Sequence, residues 1–386
     1  MALSHGHLHS PKVLRVLQVA SGLRCLAGTE KHVLDISAGL ARHGHAVTLA
    51  CHHDCLLTQR ATELGLQRIT LEIRSVHDWK QLPRFVHAMA DKFDVVHTHS
   101  PLDYLVPALA GRLSGIPAVV MTRHMPNPFA SRCNAYICAP LLYDRIIAVS
   151  DFIRRVLIES GARPERVDVV PNGIDPIDPD PVADPRLREA LGIPQDAILI
   201  AAAGRMSAEK GFDILLKAVG ELNVAGIAVY CAIFGEGGTL EQLRKLASEL
   251  QIDSRVRLPG FRTDVHDLWR AADIAAMPSL CSESFGYAAL EALSAGCAVV
   301  ASSVGALPEV LCSEAAIMTQ PGDVKGLAAA IRALVLAPGV RNRMRHAARQ
   351  RASLFTLEAS VAGVERVYAS VLRRPLQACV VPEPLR

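Results

Sequence analysis

Residues 197–212 read AILIAAAGRMSAEKGF, an apolar run that ends at a glycine and is followed by a short polar loop and a second glycine. The run 197–203 contains only Ala, Ile and Leu, which is typical of a strand buried on both faces of a parallel sheet. The apolar spacing of residues 212–222 then predicts a helix. A strand, a loop and a helix in this order form the repeating unit of an open α/β domain.

The same alternation recurs along most of the chain. Strands are predicted at residues 13–20, 46–51, 95–97, 118–121 and 145–149, and again at 197–203, 227–234, 256–258, 274–277, 298–301 and 315–318. Helices are predicted at residues 30–43, 79–92, 102–113, 212–222, 239–250 and 285–295. Two such series in 386 residues favour two domains. The predicted fold class is therefore α/β, with two Rossmann-like domains facing across a cleft.

Proline and aspartate separate the two series, in the sequence PNGIDPIDPDP at residues 171–181. Proline removes backbone donors and aspartate favours turns, so no strand continues here. We predict a first domain at residues 1–175, a linker at 176–196 and a second domain at 197–355. Residues 356–386 are predicted to form a helix that crosses back to the first domain, followed by a loosely held tail.

The composition excludes several classes of function. The formal net charge is only +3 and aromatic residues make up 4% of the chain, so we expect no nucleic-acid partner. No apolar run reaches the roughly 20 residues of a membrane-spanning helix. Residues 1–10 lack the apolar core of a signal peptide, and the sequence therefore predicts a cytoplasmic protein.

The ten cysteines form no CxxC pair, and most of them lie in apolar runs. We expect reduced thiols that act as small hydrophobic side chains. The segment CHHDC at residues 51–55 offers metal ligands, but they crowd one short stretch and no second cluster at zinc-like spacing completes them. No metal site is predicted.

Glycines show which phosphate-binding loops to expect. The first strand is not followed by G-x-G-x-x-G, and no G-K-[ST] sequence occurs, so dinucleotide and P-loop sites are disfavoured. The third glycine of GEGG at residues 235–238 is misplaced for the same motif. Gly28 lies where the first strand turns into a helix. Its amide would approach a phosphate at the helix N-terminus, or the glycine serves only the turn.

Arg205 and Lys210 lie in the loop that follows the first strand of the second domain. Arginine presents a planar fork to oxyanions and lysine a compact charge, and this combination suits a pyrophosphate. The alternative is a solvated helix start with a surface charge pair between Glu209 and Lys210. We favour phosphate binding.

The strongest local signal is ESFGYAALE at residues 283–291. A helix that begins near Phe285 would place Glu283 and Glu291 about 12 Å apart, roughly the reach from a sugar to a ribose across a diphosphate. A carboxylate in an apolar helix needs a partner, and ribose hydroxyls would supply two hydrogen bonds. The alternative is a surface helix with two unrelated acids. In the favoured interpretation, the amides between the two acids cap the phosphates.

Several short segments follow one another along the chain in a distinctive order: AGTE at residues 27–30 with HGH at 43–45, DVVHTHS at 94–100, AVS at 148–150, VVPNGID at 169–175, the loop 204–211, FGEG at 234–237, the Glu-x7-Glu motif and GALPE at 305–309. Taken in this order, they resemble the retaining glycosyltransferases of family 4, also described as glycosyl transferases group 1, which have the GT-B fold. The resemblance implies a nucleotide diphosphate sugar as donor substrate and no other cofactor.

The resemblance also implies individual roles. His124, in the sequence TRH after the fourth predicted strand, would take the place of a family histidine near the reacting centre. The family's usual glycine is replaced by Ala27 before Gly28 and by Ser284 after Glu283. The implied catalytic residues are His124, Arg205, Lys210 and Glu283, and the implied donor-binding residues are Gly28, Arg205, Lys210, Glu283, Ser284, Phe285, Gly286 and Glu291.

The expected reaction moves a hexose or heptose with retention at the anomeric carbon. Enzymes of this kind need no bound metal, because cationic side chains and helix dipoles neutralise the leaving diphosphate. A metal-dependent transferase would carry D-x-D at a strand end, whereas the D-x-D of note, Asp178 to Asp180, lies in the predicted linker.

The acceptor is expected to be a glycan or lipid-linked glycan, in cell-surface polysaccharide or lipopolysaccharide biosynthesis. Arg123, Arg132 and Arg145 would suit an acidic or phosphorylated saccharide. Residues 79–85 would contact the inner face of the membrane peripherally, or simply face a core. Two alternatives stay open: another GT-B enzyme such as an epimerase or a phosphorylase, and a non-catalytic protein that binds sugar nucleotides.

Overall fold

Residues 13–21, 28–177 and 185–372 are described by a computed structural model of the protein. The chain divides into two units, the first formed by Met1–Gly173 with Leu357–Arg386 and the second by Ile174–Thr356. Each unit contains one parallel β-sheet with helices packed against it.

The first unit contains a seven-stranded sheet of order β3-β2-β1-β4-β5-β6-β7. Its central strands consist of buried Val, Ile, Leu and Ala, as expected for a sheet covered on both faces. Five strands match the predictions within two residues, and the two edge strands β3 and β7 were not predicted. The strands are β1 (Arg15–Val19), β2 (Ala46–Cys51), β3 (Gln67–Thr70), β4 (Val95–Thr98), β5 (Ala118–Arg123), β6 (Arg145–Ala148) and β7 (Val167–Val169).

Six helices connect these strands. Ser150 caps the last of them, since its Oγ accepts a hydrogen bond from the amide of Ile153 at 3.2 Å. A π-helical turn at Asn134–Cys138 precedes α5. The helices are α1 (Gly28–Arg42), α2 (Leu56–Glu63), α3 (Leu82–Met89), α4 (Val106–Leu113), α5 (Ala139–Leu142) and α6 (Asp151–Glu159).

The second unit contains a six-stranded sheet of order β10-β9-β8-β11-β12-β13, and all six strands were predicted. Its strands are β8 (Ile198–Ala203), β9 (Val229–Phe234), β10 (Val256–Gly260), β11 (Ile274–Met277), β12 (Ala298–Ser302) and β13 (Ala316–Thr319). Its helices are α7 (Pro185–Ala190), α8 (Phe212–Val224), α9 (Leu240–Glu249), α10 (Val265–Ala271), α11 (Tyr287–Ala295), α12 (Leu307–Val310), α13 (Val324–Leu336) and α14 (Pro338–Ala352).

The segment 176–196, predicted as a linker, belongs largely to the second unit in the structure. The amide of Ile177 donates to Ser294 Oγ at 2.8 Å. Arg188 of α7 is buried and donates to the carbonyl of Ala271 at 2.7 Å and to Asp273 at 3.0 Å. Proline and aspartate do keep residues 171–177 free of strands. The buried contacts of α7 could not be anticipated from these turn residues. Asp178 and Asp180 lie outside the described residues.

The final helix, α15 (Leu357–Leu372), packs in the core of the first unit. Gly39 of α1 lets it approach closely, because a Cβ at Gly39 would lie 2.3 Å from Val361. Buried Tyr368 and partly buried Glu365 add polar contacts to the same unit. The predicted tail after residue 372 lies outside the described residues.

Two further observations concern the whole described part of the chain. Its eight cysteines all carry free thiols. None of its helices combines the length and apolar character needed to cross a lipid bilayer.

Candidate active site

The two loops singled out in the second unit leave neighbouring strands of its sheet. β8 ends at Ala203, β11 ends at Met277, and the two strands pair in parallel. Their carboxyl ends therefore lie side by side, at the edge of an open α/β sheet where ligands bind. The loop 204–211 follows β8, and the loop 278–286 follows β11.

Lys210 and Glu283 form an ion pair between these loops. Lys210 Nζ lies 2.6 Å from Glu283 Oε1, and Ser279 Oγ donates to the same oxygen at 2.7 Å. The two charged side chains keep 26% and 19% of their surface exposed, so a ligand can reach them. Glu209, the partner in the alternative interpretation of a surface charge pair, instead accepts a hydrogen bond from Ser207.

Gly211 lets the two loops approach each other closely. Its φ of +63° lies in the left-handed region, and a Cβ there would lie only 2.0 Å from the carbonyl oxygen of Pro278. The amide of Leu280 also donates to the carbonyl of Glu209 at 2.8 Å. Glycine at position 211 therefore holds the backbone of Lys210 against the loop that contains Glu283.

The glycines of the FGEG segment pack against the backbone of the first loop. A Cβ at Gly235 would lie 1.8 Å from the carbonyl oxygen of Gly204, and one at Gly237 would lie 2.3 Å from that of Met206. The amide of Met206 donates to the carbonyl of Glu236 at 2.7 Å. The sequence of this segment does not fit a dinucleotide-binding motif, and its structural role was not predicted. Its position directly after β9 is the feature of the sequence that could have indicated a contact with the neighbouring loop.

Gly305 packs in the same way against the backbone of the loop 278–286. A Cβ at Gly305 would lie 2.2 Å from the carbonyl oxygen of Glu283, and its φ is +57°. The amide of Ala306 donates to that carbonyl at 2.8 Å. The backbone of Glu283 is therefore fixed by a segment that the sequence analysis noted only for its family resemblance.

The helix of the Glu-x7-Glu motif begins later than predicted. α11 starts at Tyr287, and Gly286 before it has a left-handed φ of +95°. A residue in this conformation does not continue a right-handed helix, so residues 283–286 form a loop. The prediction that the helix begins near Phe285 is wrong by two residues. Helical rise alone therefore does not give the separation of Glu283 and Glu291.

Glu291 is buried, with 8% of its surface exposed, in an otherwise apolar helix. The indole Nε1 of Trp269 donates to its Oε2 at 3.4 Å, and His266 Nε2 lies 4.0 Å from its Oε1. These contacts explain how the fold tolerates the carboxylate and orient it. Its assignment as the ribose ligand stays a prediction.

The remaining donor-binding candidates differ in exposure. Phe285 is buried and its ring packs against those of Tyr287 and Phe355, so only its backbone is left for a ligand. Ser284 is half-buried, and Arg205 is exposed directly after Gly204. The amides of residues 284–286 lie at the N-terminal end of α11, where the helix dipole favours anions.

In the first unit, Gly28 is the exposed first residue of α1. The residues before it, 22–27, lie outside the described residues. His124 directly follows β5 and keeps 9% of its surface exposed. His99 Nδ1 lies 3.3 Å from His124 Nε2. The structure thus places His124 beside a second histidine at the carboxyl ends of β4 and β5.

Burial controls the charge of these histidines. It holds the pKa of His124 and of His99 well below the ordinary value, and the neighbouring imidazoles act in the same direction. Burial also lowers the pKa of His32 to about 4, and the nearby side chain of Asn172 acts in the opposite direction. All three rings are therefore neutral at pH 7.

Two of the three arginines expected to meet an acidic acceptor are engaged elsewhere. Arg123 is buried and its guanidinium stacks on the rings of Tyr104 and Phe129. Arg145 forms a bidentate pair with Asp168. Arg132 is exposed. The expectation of a basic surface formed by all three is therefore wrong, because aromatic and acidic partners distant in sequence bind two of them.

Within the described residues, two groups of side chains have ligand atoms close enough to share one metal ion. No metal site is predicted from the sequence at residues 51–55. In the structure, Cys51 and Cys55 turn toward the hydroxyl of Thr58 instead of joining the nearby histidines. The two groups are His32 with His99 and His124, and His52 with His53 and Glu72.

Comparisons with known proteins agree with the geometry of both units. The family model described as Glycosyltransferase Family 4 matches residues 26–177, and that described as Glycosyl transferases group 1 matches residues 183–351. The chain is 32% identical over 310 residues to D-inositol 3-phosphate glycosyltransferase 1 of Catenulispora acidiphila, covering 72% of this chain and 73% of the relative. It is 31% identical over 316 residues to the D-inositol 3-phosphate glycosyltransferase of Xylanimonas cellulosilytica, covering 75% and 74%.

Solved structures share the fold. A glycosyltransferase from Rickettsia africae superposes with a TM-score of 0.83 at 19% identity, covering 94% of this chain and 100% of that one. HepE of Anabaena, solved with UDP and glucose, superposes with a TM-score of 0.81 at 21% identity, covering 92% and 100%. The chain is therefore a glycosyltransferase of family 4, built from two Rossmann-like domains with the GT-B fold.

Proposed function

We propose that the protein transfers a hexose or heptose from a nucleotide diphosphate sugar to a glycan or lipid-linked glycan, with retention at the anomeric carbon and without a metal ion. The observation that supports this proposal most strongly is the Lys210–Glu283 pair at the carboxyl ends of β8 and β11. Family membership favours transfer over the epimerase, phosphorylase and non-catalytic alternatives.

The pair suits a donor because each partner keeps unused hydrogen-bonding capacity. An ammonium group has three donors, and the bond to Glu283 uses one of them. The two remaining donors would bind oxygens of the diphosphate, together with the exposed guanidinium of Arg205. Ser279 and Lys210 both contact Oε1 of Glu283, which leaves Oε2 to accept hydrogen bonds from sugar hydroxyls.

The helix α11 would complete the donor site. The amides of residues 284–286, at the N-terminal end of the helix, would offer a partial positive charge to the phosphates, and the contacts of Gly211 and Gly305 fix this loop. Glu291, held by Trp269, would accept hydrogen bonds from the ribose hydroxyls. HepE of Anabaena has been solved with UDP and glucose, and a UDP-sugar is therefore the first donor to test.

In the proposed reaction the bond from the anomeric carbon to the diphosphate oxygen breaks and its electron pair leaves with the nucleotide diphosphate. Lys210 and Arg205 stabilise the charge that develops there, so no metal ion is needed. The acceptor hydroxyl bonds to the anomeric carbon on the same face, and its proton passes to the departing phosphate oxygen. His124, neutral and with 9% of its surface exposed, would bind a hydroxyl of the reacting sugar.

A second acceptor class is favoured by the relatives. Two relatives that are 31–32% identical over about three quarters of the chain are named D-inositol 3-phosphate glycosyltransferases. A phosphorylated polyol is therefore an alternative to a glycan of cell-surface polysaccharide or lipopolysaccharide. The loss of Arg123 and Arg145 from the predicted basic surface weakens the argument for a large acidic glycan.

A thermal-shift screen against nucleotide sugars, followed by a transfer assay, tests the proposal. One donor should stabilise the protein, and nucleotide diphosphate release should rise when the correct acceptor from a panel of glycans, lipid-linked glycans and inositol 3-phosphate is added. Proton NMR of the product should show the anomeric configuration of the donor, and EDTA should not lower the rate. An inverted product, or a rate abolished by EDTA and restored by divalent cations, would contradict the mechanism.

We also propose a cytoplasmic location with peripheral contact at the inner face of the membrane. Trp79, which begins a short 3-10 helix before α3, keeps 48% of its surface exposed. An exposed indole is suited to the headgroup region of a bilayer. Sedimentation with anionic liposomes tests this: the unaltered chain should sediment and Trp79→Ala should sediment less. No sedimentation of the unaltered chain would exclude the contact.

A further inference from the structure

Four histidines lie together at the carboxyl ends of the strands in the first unit. His97 belongs to β4, His99 and His124 directly follow β4 and β5, and His32 lies on α1. The ring centroids of His32 and His124 are 4.7 Å apart, and those of His97 and His99 are 4.2 Å apart. Their exposed fractions range from 0% to 9%. Such a buried set of imidazoles requires partners for its ring nitrogens.

Hydrogen bonds fix the tautomer of His99. Its Nε2 lies 2.6 Å from the amide oxygen of Gln18, which can only accept, so Nε2 carries the proton. The amide nitrogen of Gln18 donates to the hydroxyl of Tyr368 at 3.2 Å, and that hydroxyl lies 2.7 Å from His97 Nδ1. In a neutral ring the other nitrogen of His99, Nδ1, therefore presents a lone pair.

That lone pair points toward the other two rings. His99 Nδ1 lies 3.3 Å from His124 Nε2. Among the described residues, the fully enclosed Nε2 of His32 has no hydrogen-bond partner. One ring nitrogen from each of the three histidines lies within 4.8 Å of the other two. A buried imidazole nitrogen requires a hydrogen-bond or metal partner.

The spacing of one pair of rings matches that of ligands on a tetrahedral metal ion. Zinc binds imidazole nitrogen at about 2.0–2.1 Å, which places neighbouring ligand nitrogens about 3.4 Å apart. The pair formed by His99 and His124 already has this separation, at 3.3 Å. The side chain of His32 would reach the same ion through a small shift of its ring.

We propose that His32 Nε2, His99 Nδ1 and His124 Nε2 bind one zinc ion, with the fourth position open at the exposed edge of His124. The neutral His124 ring would carry its proton on Nδ1 in the bound form. Gln18 would orient His99 through its hydrogen bond to Nε2, and Tyr368 would in turn hold Gln18. Hydrogen bonds of this kind commonly orient metal-bound histidines. Zinc binds neutral imidazole, and the burial of these three rings disfavours the charged form.

The second group, His52 with His53 and Glu72, fits zinc less well. The amide of Asp54 donates to His52 Nδ1 at 3.3 Å, so the proton of that ring lies on Nε2. This nitrogen faces Glu72 at 3.5 Å and would need to lose its proton to bind a metal. His53 is also 63% exposed. This surface group therefore serves as a matched control.

The proposed zinc site is not required for the proposed sugar transfer. Zinc would occupy the ring nitrogen of His124 and so inhibit sugar transfer, a consequence that rests on the proposed function. Zinc binding itself does not rest on it. If zinc binds but sugar transfer is not inhibited, the proposed role of His124 in the reaction is wrong and the zinc site stands. If the enzyme transfers sugar but binds no zinc, the zinc site is wrong and the proposed function stands.

The test uses full-length chains without an affinity tag and with His5, His7 and His9 replaced by alanine. Isothermal titration and metal analysis after dialysis should show one zinc ion per chain, and Co2+ should give the intense visible absorption of a tetrahedral site. His32→Gln should weaken zinc binding at least about tenfold, while His53→Gln leaves it unchanged.

Circular dichroism verifies that each variant folds. If His32→Gln does not fold, His124→Gln takes its place, because His124 lies at the exposed edge of the group. Three results would overturn the proposal: no stoichiometric zinc on the unaltered chain, unchanged binding in both ligand variants, or loss of binding in His53→Gln instead.

Discussion

Lys210 and Glu283 lie 73 positions apart in the sequence, and their side chains meet at 2.6 Å. The contact depends on two parallel strands that end side by side and on glycines that let the following loops touch. The pair joins a cation suited to phosphate with a carboxylate suited to sugar hydroxyls. The proposed donor site is built around it.

Lys210→Ala should lower kcat by about 10²–10³-fold, because it removes a charge that stabilises the leaving diphosphate. The melting temperature should change by only a few degrees, since the pair is partly exposed. Lys217→Ala is the control: Lys217 pairs with Asp213 at 2.8 Å on the surface of α8 and should keep full activity. Turnover near that of the unaltered enzyme in Lys210→Ala would remove the leaving-group role.

Gly211→Ala should destabilise the second unit and reduce donor binding. Both Gly211 and Gly226 have positive φ, +63° and +72°, but only the Cβ at position 211 would collide, at 2.0 Å from the carbonyl of Pro278. Gly226→Ala should therefore cost about 1–2 kcal/mol for backbone strain alone. Gly211→Ala should cost about 1–3 kcal/mol more for the overlap.

Urea unfolding followed by circular dichroism, with each variant compared at the same protein concentration, measures the difference. Equal stabilities for the two variants would show that the loops separate without cost and that Gly211 does not fix their contact.

Glu291→Gln should raise the KM for the donor about tenfold, as expected for the loss of about 1.4 kcal/mol of binding. The kcat should change little, because the ribose is bound equally in the ground and transition states. Glu249→Gln on α9, where Glu249 lies 3.6 Å from Lys245 at the surface, is the control. Steady-state kinetics with varied donor provides the readout. A fall in kcat without a change in KM would place Glu291 elsewhere in the mechanism.

The contact of α15 with the first unit should depend on pH. His43 Nδ1 lies 2.9 Å and His45 Nε2 lies 3.0 Å from Glu365 Oε1. Burial opposes the protonation of His43, but the hydrogen bonds to Glu365 and Glu358 outweigh it and raise its pKa. Burial also opposes ionisation of Glu365, but the hydrogen bonds from His45 and His43 outweigh it and lower its pKa.

The sign of the effect follows from these two shifts. A raised histidine pKa stabilises the fold below pH 6.5, and this contribution is lost as the pH rises through the folded value. A lowered glutamate pKa stabilises it above pH 4.5, and this contribution is lost as the pH falls through the folded value. Glu365→Gln should therefore lower the melting temperature by a few degrees, most clearly between pH 4.5 and 6.5, and least at pH 8.

Glu63→Gln is the matched control for this experiment. Glu63 pairs with Arg60 on the surface of α2, and arginine stays charged across the whole range. Its effect should not vary between pH 6 and 8. A melting-temperature difference for Glu365→Gln that is the same at pH 5.5 and pH 8 would contradict the assignment.

Much of the fold could be predicted from the pattern of apolar runs. Strands such as β8 and β11 contain only apolar residues and alternate with helices, and the two features together indicate a parallel sheet covered on both faces. The edge strand β3 has the sequence QRIT and is largely exposed, so it carries no such pattern. β7 has only three residues, too few for periodicity to mark it.

The sequence predicted individual residues of the candidate site but not the contacts between them. The sequence indicated Lys210 and Glu283 separately, each from its loop after a strand. It did not show that they pair, because that depends on strand order and on backbone approaches at Gly211 and Gly305. It also did not show that the guanidinium of Arg123 contacts the rings of Tyr104 and Phe129. Partners that the chain brings together over long distances leave no local signal.

A crystal structure with an intact or non-hydrolysable nucleotide diphosphate sugar tests the central claim most directly. The account predicts diphosphate oxygens about 3 Å from Lys210 Nζ and from the Arg205 guanidinium. It also predicts ribose hydroxyls on the carboxylate of Glu291 and sugar hydroxyls on that of Glu283. A donor bound away from the 283–291 segment, with Lys210 and Glu283 still paired only to each other, would contradict it.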